Sequence, residues 1–233
     1  MSESRLILVD GSGYIFRAYY ALPPMNNSKG IPTNAVYGFC NMMLRLIEEH
    51  PNDKILIILD AGKNTFRNTL YSEYKANRSE APEDLIPQFG IIREAIDAFG
   101  LDVIEKKDFE ADDVIAYVAQ HKKYEGWEKV IVSSDKDFFQ LISEDCKLYR
   151  PIQKQVVDYP TLLEQHGIHP KNFALARSLV GDKSDNLPGV PRVGLKTVAS
   201  KFSFLKEPKQ YEVQDIMEHC EGLEKLLKVH ENI

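Results

Sequence analysis

Apolar and polar positions follow two rhythms along the 233-residue chain. Short, β-branched apolar runs occur at 6–9, 55–59, 101–104 and 130–132, and 147–149 is a weaker fifth candidate. Runs of this kind predict strands buried on both faces of a parallel sheet. Between them, 33–49, 85–99, 111–124 and 137–142 carry helical patterns, so strands and helices alternate as in an α/β fold. Beyond Pro160 the strand pattern stops. Segments 161–166, 172–180, 195–202 and 223–228 read as short helices separated by Gly, Pro, Asp and Asn. The expected architecture is a mostly parallel central sheet flanked by helices over 1–160, with 161–233 as a helical layer packed on it. One stretch, 66–87, breaks the rhythm. It holds Arg67, Tyr71, Tyr74, Lys75 and Arg78 and is too polar to be core.

Composition is globular, with 43% hydrophobic and 27% charged residues, which excludes collagen-like, low-complexity and disulfide-framework classes. Cys40, Cys146 and Cys220 are scattered without a Cys-x-x-Cys spacing and read as reduced thiols. No apolar run approaches a membrane span, and the amino terminus lacks a signal-peptide pattern, so a cytoplasmic protein without membrane contact is expected. Acids outnumber bases 35 to 29, a net charge of −6. Taken alone, that balance argues against nucleic acid.

The placement of the acids changes this picture. In open α/β sheets, ligands bind at the carboxyl ends of the strands. Here the first strand runs into Asp10, the second into Asp60, and the fourth through Ser133-Ser134 into Asp135-Lys136-Asp137. Glu110-Ala111-Asp112-Asp113 opens a helix after the third, and Gly181-Asp182-Lys183-Ser184-Asp185-Asn186 fills a loop between two helices. Each acid alone has an ordinary explanation as a helix cap, a turn residue or a macrodipole partner. Together they would repel one another unless cations neutralise them. Oxygen ligands without His or Cys select Mg²⁺ or Mn²⁺. Carboxylate-held pairs of such ions serve phosphodiester hydrolysis. Ser12, Ser133 and Ser134 have no suggestively spaced His, which argues against a Ser-His nucleophile.

At this point the chain resembles a known family. Leu8-Val9-Asp10-Gly11, Ala35-Val36-Tyr37-Gly38-Phe39, Phe66-Arg67, Tyr74-Lys75-Ala76-Asn77-Arg78, Phe109-Glu110-Ala111-Asp112-Asp113, Ser134-Asp135-Lys136-Asp137 and the run from Gly181 to Val190 are similar to the 5′-nuclease domain of bacterial DNA polymerase I. The wider family is the flap endonucleases and 5′–3′ exonucleases. The motifs keep the family order from residue 6 to about 203. The resemblance implies a PIN-like 5′-nuclease fold and nine metal-site acids: Asp10, Asp60, Glu110, Asp112, Asp113, Asp135, Asp137, Asp182 and Asp185. It also implies two or more Mg²⁺ or Mn²⁺ ions.

The same resemblance gives 66–87 a role as a helical arch over the active site. Lys75 and Arg78, on one helix face at i and i+3, would contact the scissile phosphate. Tyr74 would stack on an unpaired base, and Arg67 would join the DNA-binding set. Residues 173–203 resemble a helix–hairpin–helix that holds duplex phosphates through Gly189, Gly194, Lys196 and Thr197, and in the family often a K⁺ ion through carbonyls. Arg192 stands where the family usually has Gly, as a stiffer hairpin or an added phosphate contact. The chain ends at Ile233, which leads to the expectation of a stand-alone, monomeric nuclease without polymerase domains. Its expected partner is 5′-flap, nicked or branched DNA, RNA-primed DNA included. Two alternatives compete: a non-catalytic branched-DNA-binding module, against which the complete acid set argues, and a phosphatase using Asp10, which has Ser12 where a second Asp is usual. Setting the nine acids aside leaves 26 against 29 bases, so the rest of the chain is mildly basic.

Overall fold

The computed structural model describes residues 4–62 and 65–219. The expected helix at 223–228 and Cys220 lie outside them. The chain forms two compact units, each discontinuous in sequence. The first comprises Met1–Phe66, Ser79–Ser134 and Tyr149–Gln155; the second comprises Arg67–Arg78, Asp135–Leu148 and Val156–Ile233. A single boundary near residue 160 therefore gives way to an interleaved one. The turn at 71–78 bonds the 182–187 loop, and Asp137 after β4 bonds Arg177, so both segments group with the carboxy-terminal part of the chain.

In the first unit, β1 (Arg5–Asp10), β2 (Lys54–Leu59), β3 (Asp102–Glu105) and β4 (Glu128–Val132) pair in parallel. With β5 (Cys146–Arg150) and β6 (Gln155–Val157) the sheet order is β3-β2-β1-β4-β5-β6. The expected α/β class and all five expected strands are present; β6 is an addition. Leu6 to Val9 are wholly buried, as sheet packing on both faces demands. Each such side chain contributes about 1.5–3 kcal/mol relative to exposure.

Helix α1 (Gly11–Ala21), which the sequence pattern did not announce, follows β1 directly, and α2 (Asn34–Glu49) packs beside it. Residues Ala35, Phe39, Met43 and Leu46 form the buried stripe of α2 at helical spacing. Past the short α3 (Phe66–Leu70), helix α4 (Ile86–Ala98) caps α2 from outside. The buried Gln88 accepts from Ala35 N at 2.8 Å and Val36 N at 3.2 Å, and donates to Asn34 Oδ1 at 3.0 Å. Two amides that a helix start leaves orphaned are thereby satisfied. Helix α5 (Ala111–Ala119) packs against β1 and β2. It is shorter than the expected 111–124, because the His121 ring accepts from Lys123 N at 3.1 Å and starts a separate 3₁₀ turn.

In the second unit, a 3₁₀ turn, Asp137–Leu141, replaces the expected helix at 137–142. It is followed by α6 (Tyr159–His166), α7 (Phe173–Val180), α8 (Leu195–Lys201) and α9 (Val213–Glu218). Phe139 and Phe173 meet edge to face at 5.1 Å inside a core that includes Leu162, Ala176 and Phe202. The buried Asn172 donates to the carbonyls of Leu205, Glu207 and Lys209 and accepts from Tyr211 N, which fastens the chain after α8. Among the described residues no helix is long and apolar enough to cross a membrane.

Candidate functional site

The nine acids divide between the units, five in the first and four in the second. In the first unit, strand order reverses between β1 and β4, the switch point at which open α/β sheets bind ligands. Asp10 ends β1 there, one residue past the Val9–Val132 pair. Its carboxylate accepts from Ser133 Oγ at 2.7 Å and from Gly13 N at 2.8 Å. Position 13 has to be small: a Cβ there would overlap the Asp10 carboxylate. Asp60 leaves β2 with its amide donating to Ser12 Oγ at 3.0 Å, and its carboxylate accepts from Ala111 N, the first residue of α5, at 2.8 Å. At that helix start Asp113 Oδ2 accepts from Glu110 N at 3.0 Å, in a reciprocal capping box that places Asp112 in the same first turn. The ordinary capping roles considered from sequence are thus all made. They also fix the directions of the Asp10, Asp60, Glu110 and Asp113 carboxylates.

The second unit holds its acids differently. Asp135 Oδ1 accepts from Asp137 N at 2.9 Å and shapes the 3₁₀ turn. Arg177, in the last turn of α7, donates from Nε to Asp137 Oδ1 at 3.0 Å and pairs through Nη2 with Asp182 Oδ2. Asp182 Oδ1 accepts from Ser184 N at 2.7 Å and Ser184 Oγ at 2.5 Å. Burial raises the Asp137 carboxyl above its ordinary value and outweighs Arg177. Burial pushes Asp182 the same way, but the Ser184 donors and Arg177 bring it below the ordinary value. Asp185 accepts from Arg78 Nη2 at 2.5 Å and from Tyr74 OH at 3.2 Å, with Lys75 Nζ at 3.9 Å. The loop rests on two glycines packed backbone to backbone. Gly181 has φ +73°, and a Cβ on it or on Gly189 would overlap the other strand of the loop.

The expected helical arch is corrected here. Only α3 is helical within 66–78; the chain then turns, and Lys75 has φ +55°. The reason is that the turn bonds the 182–187 loop. Lys75 N donates to Asp185 O at 2.9 Å, Asn77 Nδ2 to Lys183 O at 2.8 Å, and Asn186 Nδ2 to Glu73 O at 2.8 Å. Lys75 and Arg78 therefore converge on Asp185, and not through a shared helix face. Tyr74 has a buried ring in place of the exposed stacking surface expected, with Lys75 Nζ 5.0 Å and Arg67 6.0 Å from its centroid. Gly189, Gly194, Lys196 and Thr197 lie around the segment joining α7 to α8, with Gly194 as the N-cap of α8. Arg192 has φ +65°, the left-handed region that favours glycine.

Among the described residues, no three acidic, His or Cys side chains stand together as a preassembled metal cage. Eight of the nine acids accept from the protein donors described above. Sequence reasoning missed Arg177, Ser133 and Ser12 as partners of the acids. Arg177 reads in sequence as an ordinary cation in the last turn of a helix, and hydroxyl partners carry no spacing signal.

Mostly parallel strands flanked by helices form the fold shared with solved 5′-nucleases. Residues 5–167 match the family model for the 5′–3′ exonuclease, N-terminal resolvase-like domain, and the chain belongs to that family. It is 36% identical over 220 residues to a 5′–3′ exonuclease of Aquifex aeolicus (strain VF5), covering 94% of this chain and 74% of that protein. It is 45% identical over 202 residues to DNA polymerase I of Rhizobium leguminosarum, covering 83% of this chain and 20% of that protein. The chain thus spans about a fifth of the polymerase it matches. In fold it is similar to the bacteriophage T5 D15 flap endonuclease crystallised with DNA and metal ions, with a TM-score of 0.69 and 21% identity, covering 97% of this chain and 86% of that one.

Proposed function

We propose that the chain hydrolyses DNA phosphodiester bonds at 5′ ends, flaps or nicks, as a metal-dependent 5′–3′ exonuclease and flap endonuclease in DNA replication and repair. The observation that carries this reading is Asp10, oriented by Ser133 at the switch point, with Asp60 directly after the adjacent strand. Membership of the 5′–3′ exonuclease family supports the reaction class.

The donor chemistry fits hard divalent ions, Mg²⁺ or Mn²⁺, because all nine groups are carboxylates. Asp10, Asp60, Glu110, Asp112 and Asp113 in the first unit, and Asp135, Asp137, Asp182 and Asp185 in the second, would hold two or more of them. Such ions supply an activated water and offset charge on the attacking and leaving oxygens of an in-line displacement. The chain does the positioning. Ser133 and the Gly13 amide aim Asp10, the Ala111 amide aims Asp60, and the capping box aims Glu110 and Asp113. Lys75 and Arg78 would bind the scissile phosphate by exchanging Asp185 for it, which keeps each cation paired. Arg67 and Tyr74 would accompany that exchange. Gly189, Arg192, Gly194, Lys196 and Thr197 would hold duplex phosphates without reading bases, with a K⁺ ion on nearby carbonyls.

The test is a labelled 5′-flap or nicked duplex incubated with Mg²⁺. Release of a 5′ fragment, abolished by EDTA and by Asp135→Asn, is the expected result. An inert parent protein, or undiminished cleavage by Asp135→Asn, sinks the reading.

A further inference from the structure

Asp137 and Asp182 belong to separate segments, the 3₁₀ turn after β4 and the loop after α7, yet one side chain holds both. Arg177 directs Nε to Asp137 Oδ1 at 3.0 Å, Nη2 to Asp182 Oδ2, and Nη1 to Gly181 O at 3.4 Å. Its side chain is 21% exposed, and α7 is anchored by the buried Phe173, Ala176 and Leu179, so the guanidinium starts from a fixed base. The far oxygen of Asp182 is committed to the Ser184 amide and hydroxyl. The Asp182 carboxylate is thereby fixed from both sides, by its own loop and by Arg177.

We propose that Arg177 is a positioning residue of the nuclease. From the end of α7 it sets Asp137 and Asp182 at one separation and orientation, so that two unconnected loops present their carboxylates to metal as a unit. The proposal rests on the nuclease reading and adds to it a residue that touches neither DNA nor metal. A planar fork with donors pointing in three directions can span these three acceptors; a lysine ammonium is a single point and cannot. Partners of this outer kind set ligand direction, and their loss typically costs about 10–100-fold in metal affinity or activity.

A competing account treats Arg177 as a staple for the end of α7, or as a cation that simply occupies the acids. The staple account shows as lost folding, and the occupying-cation account differs from positioning in sign. Removing a competing positive charge leaves more negative charge and tightens metal binding. Removing a positioning group loosens it.

The experiment titrates Mn²⁺ alone into the parent, Arg177→Gln and Arg177→Lys proteins. Free Mn²⁺ is read by electron paramagnetic resonance, folding by circular dichroism, and flap cleavage is measured in parallel. Positioning predicts Mn²⁺ affinity weakened about tenfold in Arg177→Gln. It also predicts kcat reduced with the KM for flap DNA unchanged. Arg177→Lys keeps the charge and the stem and is expected to stay weakened several-fold. Unchanged or tighter Mn²⁺ binding in folded Arg177→Gln overturns the proposal. If that variant does not fold, parent-like Mn²⁺ affinity in Arg177→Lys overturns it instead. A parent that neither binds Mn²⁺ nor cleaves overturns the nuclease reading and this inference with it. A parent that does both beside an unaffected variant overturns this inference alone.

Discussion

In the first unit Asp10, Asp60, Glu110 and Asp113 accept from neutral donors: the Gly13 and Ala111 amides, the Ser133 hydroxyl and the capping box at 110–113. In the second unit three of the acids also meet cations, with Arg177 between Asp137 and Asp182, and Lys75 and Arg78 on Asp185. Neutral donors aim a carboxylate but leave its charge in place. Cations aim it and cancel the charge, and must themselves be paired or solvated when the acid is taken by something else.

Five experiments sharpen or break this contrast. Gly13→Ala has the largest expected effect. Its Cβ overlaps the Asp10 carboxylate and must turn it away from Ser133. A displacement of about 1 Å costs on the order of a hundredfold in flap cleavage, measured by gel assay, with little change in thermal stability. Parent-like cleavage would show that the aim of Asp10 is unimportant.

Asp182→Asn acts on the second unit and lowers stability. It leaves Arg177 with one carboxylate and weakens a charge-assisted pair, a loss of about 2 kcal/mol in urea unfolding at pH 7. The pH dependence has a defined sign. The Asp182 carboxyl is held below its ordinary value, so its stabilisation is complete above the ordinary carboxylate pKa and fades as pH falls through the depressed one. The gap between parent and variant should therefore close on acidification; a gap constant to pH 3 contradicts the ion-pair account.

Ser133→Ala removes the hydroxyl from Asp10 and is expected to cost about 1 kcal/mol, insensitive to salt. By contrast, 0.5 M NaCl should speed hydrogen exchange at the amides of Lys75 and Arg78 and leave those of Gly13 and Ala111 unchanged. Equal responses in both units would erase the distinction.

Arg192→Gly is the smallest. It relieves a left-handed non-glycine residue, worth about 1 kcal/mol, less the added freedom of the unfolded chain. A rise of a few tenths of a kcal/mol in unfolding free energy checks it.

Much of the first unit was legible because its signals are local. Continuous apolar runs gave β1, β2 and β4, and a strand-terminal Asp followed by small residues marked the site. Helix α1 escaped because Gly11-Ser12-Gly13 reads as a loop; its start is set by the Asp10 cap and by the room that glycine leaves beside it. The second unit was less legible. The turn at 71–78 carries a helix-like charge spacing, and bonds to a loop more than a hundred residues away override it.

The sequence by itself determined the α/β class and the family, and singled out nine candidate acids, because strand patterning and motif chemistry are written in neighbouring residues. Only the tertiary structure decided what each acid faces. Whether Asp10 meets a serine or Asp185 an arginine depends on side chains brought together from distant segments, and hydrogen-bond direction and charge pairing have no period along the chain. That is why Arg177, an ordinary cation at the end of a helix in the sequence, becomes in space the group that joins Asp137 to Asp182.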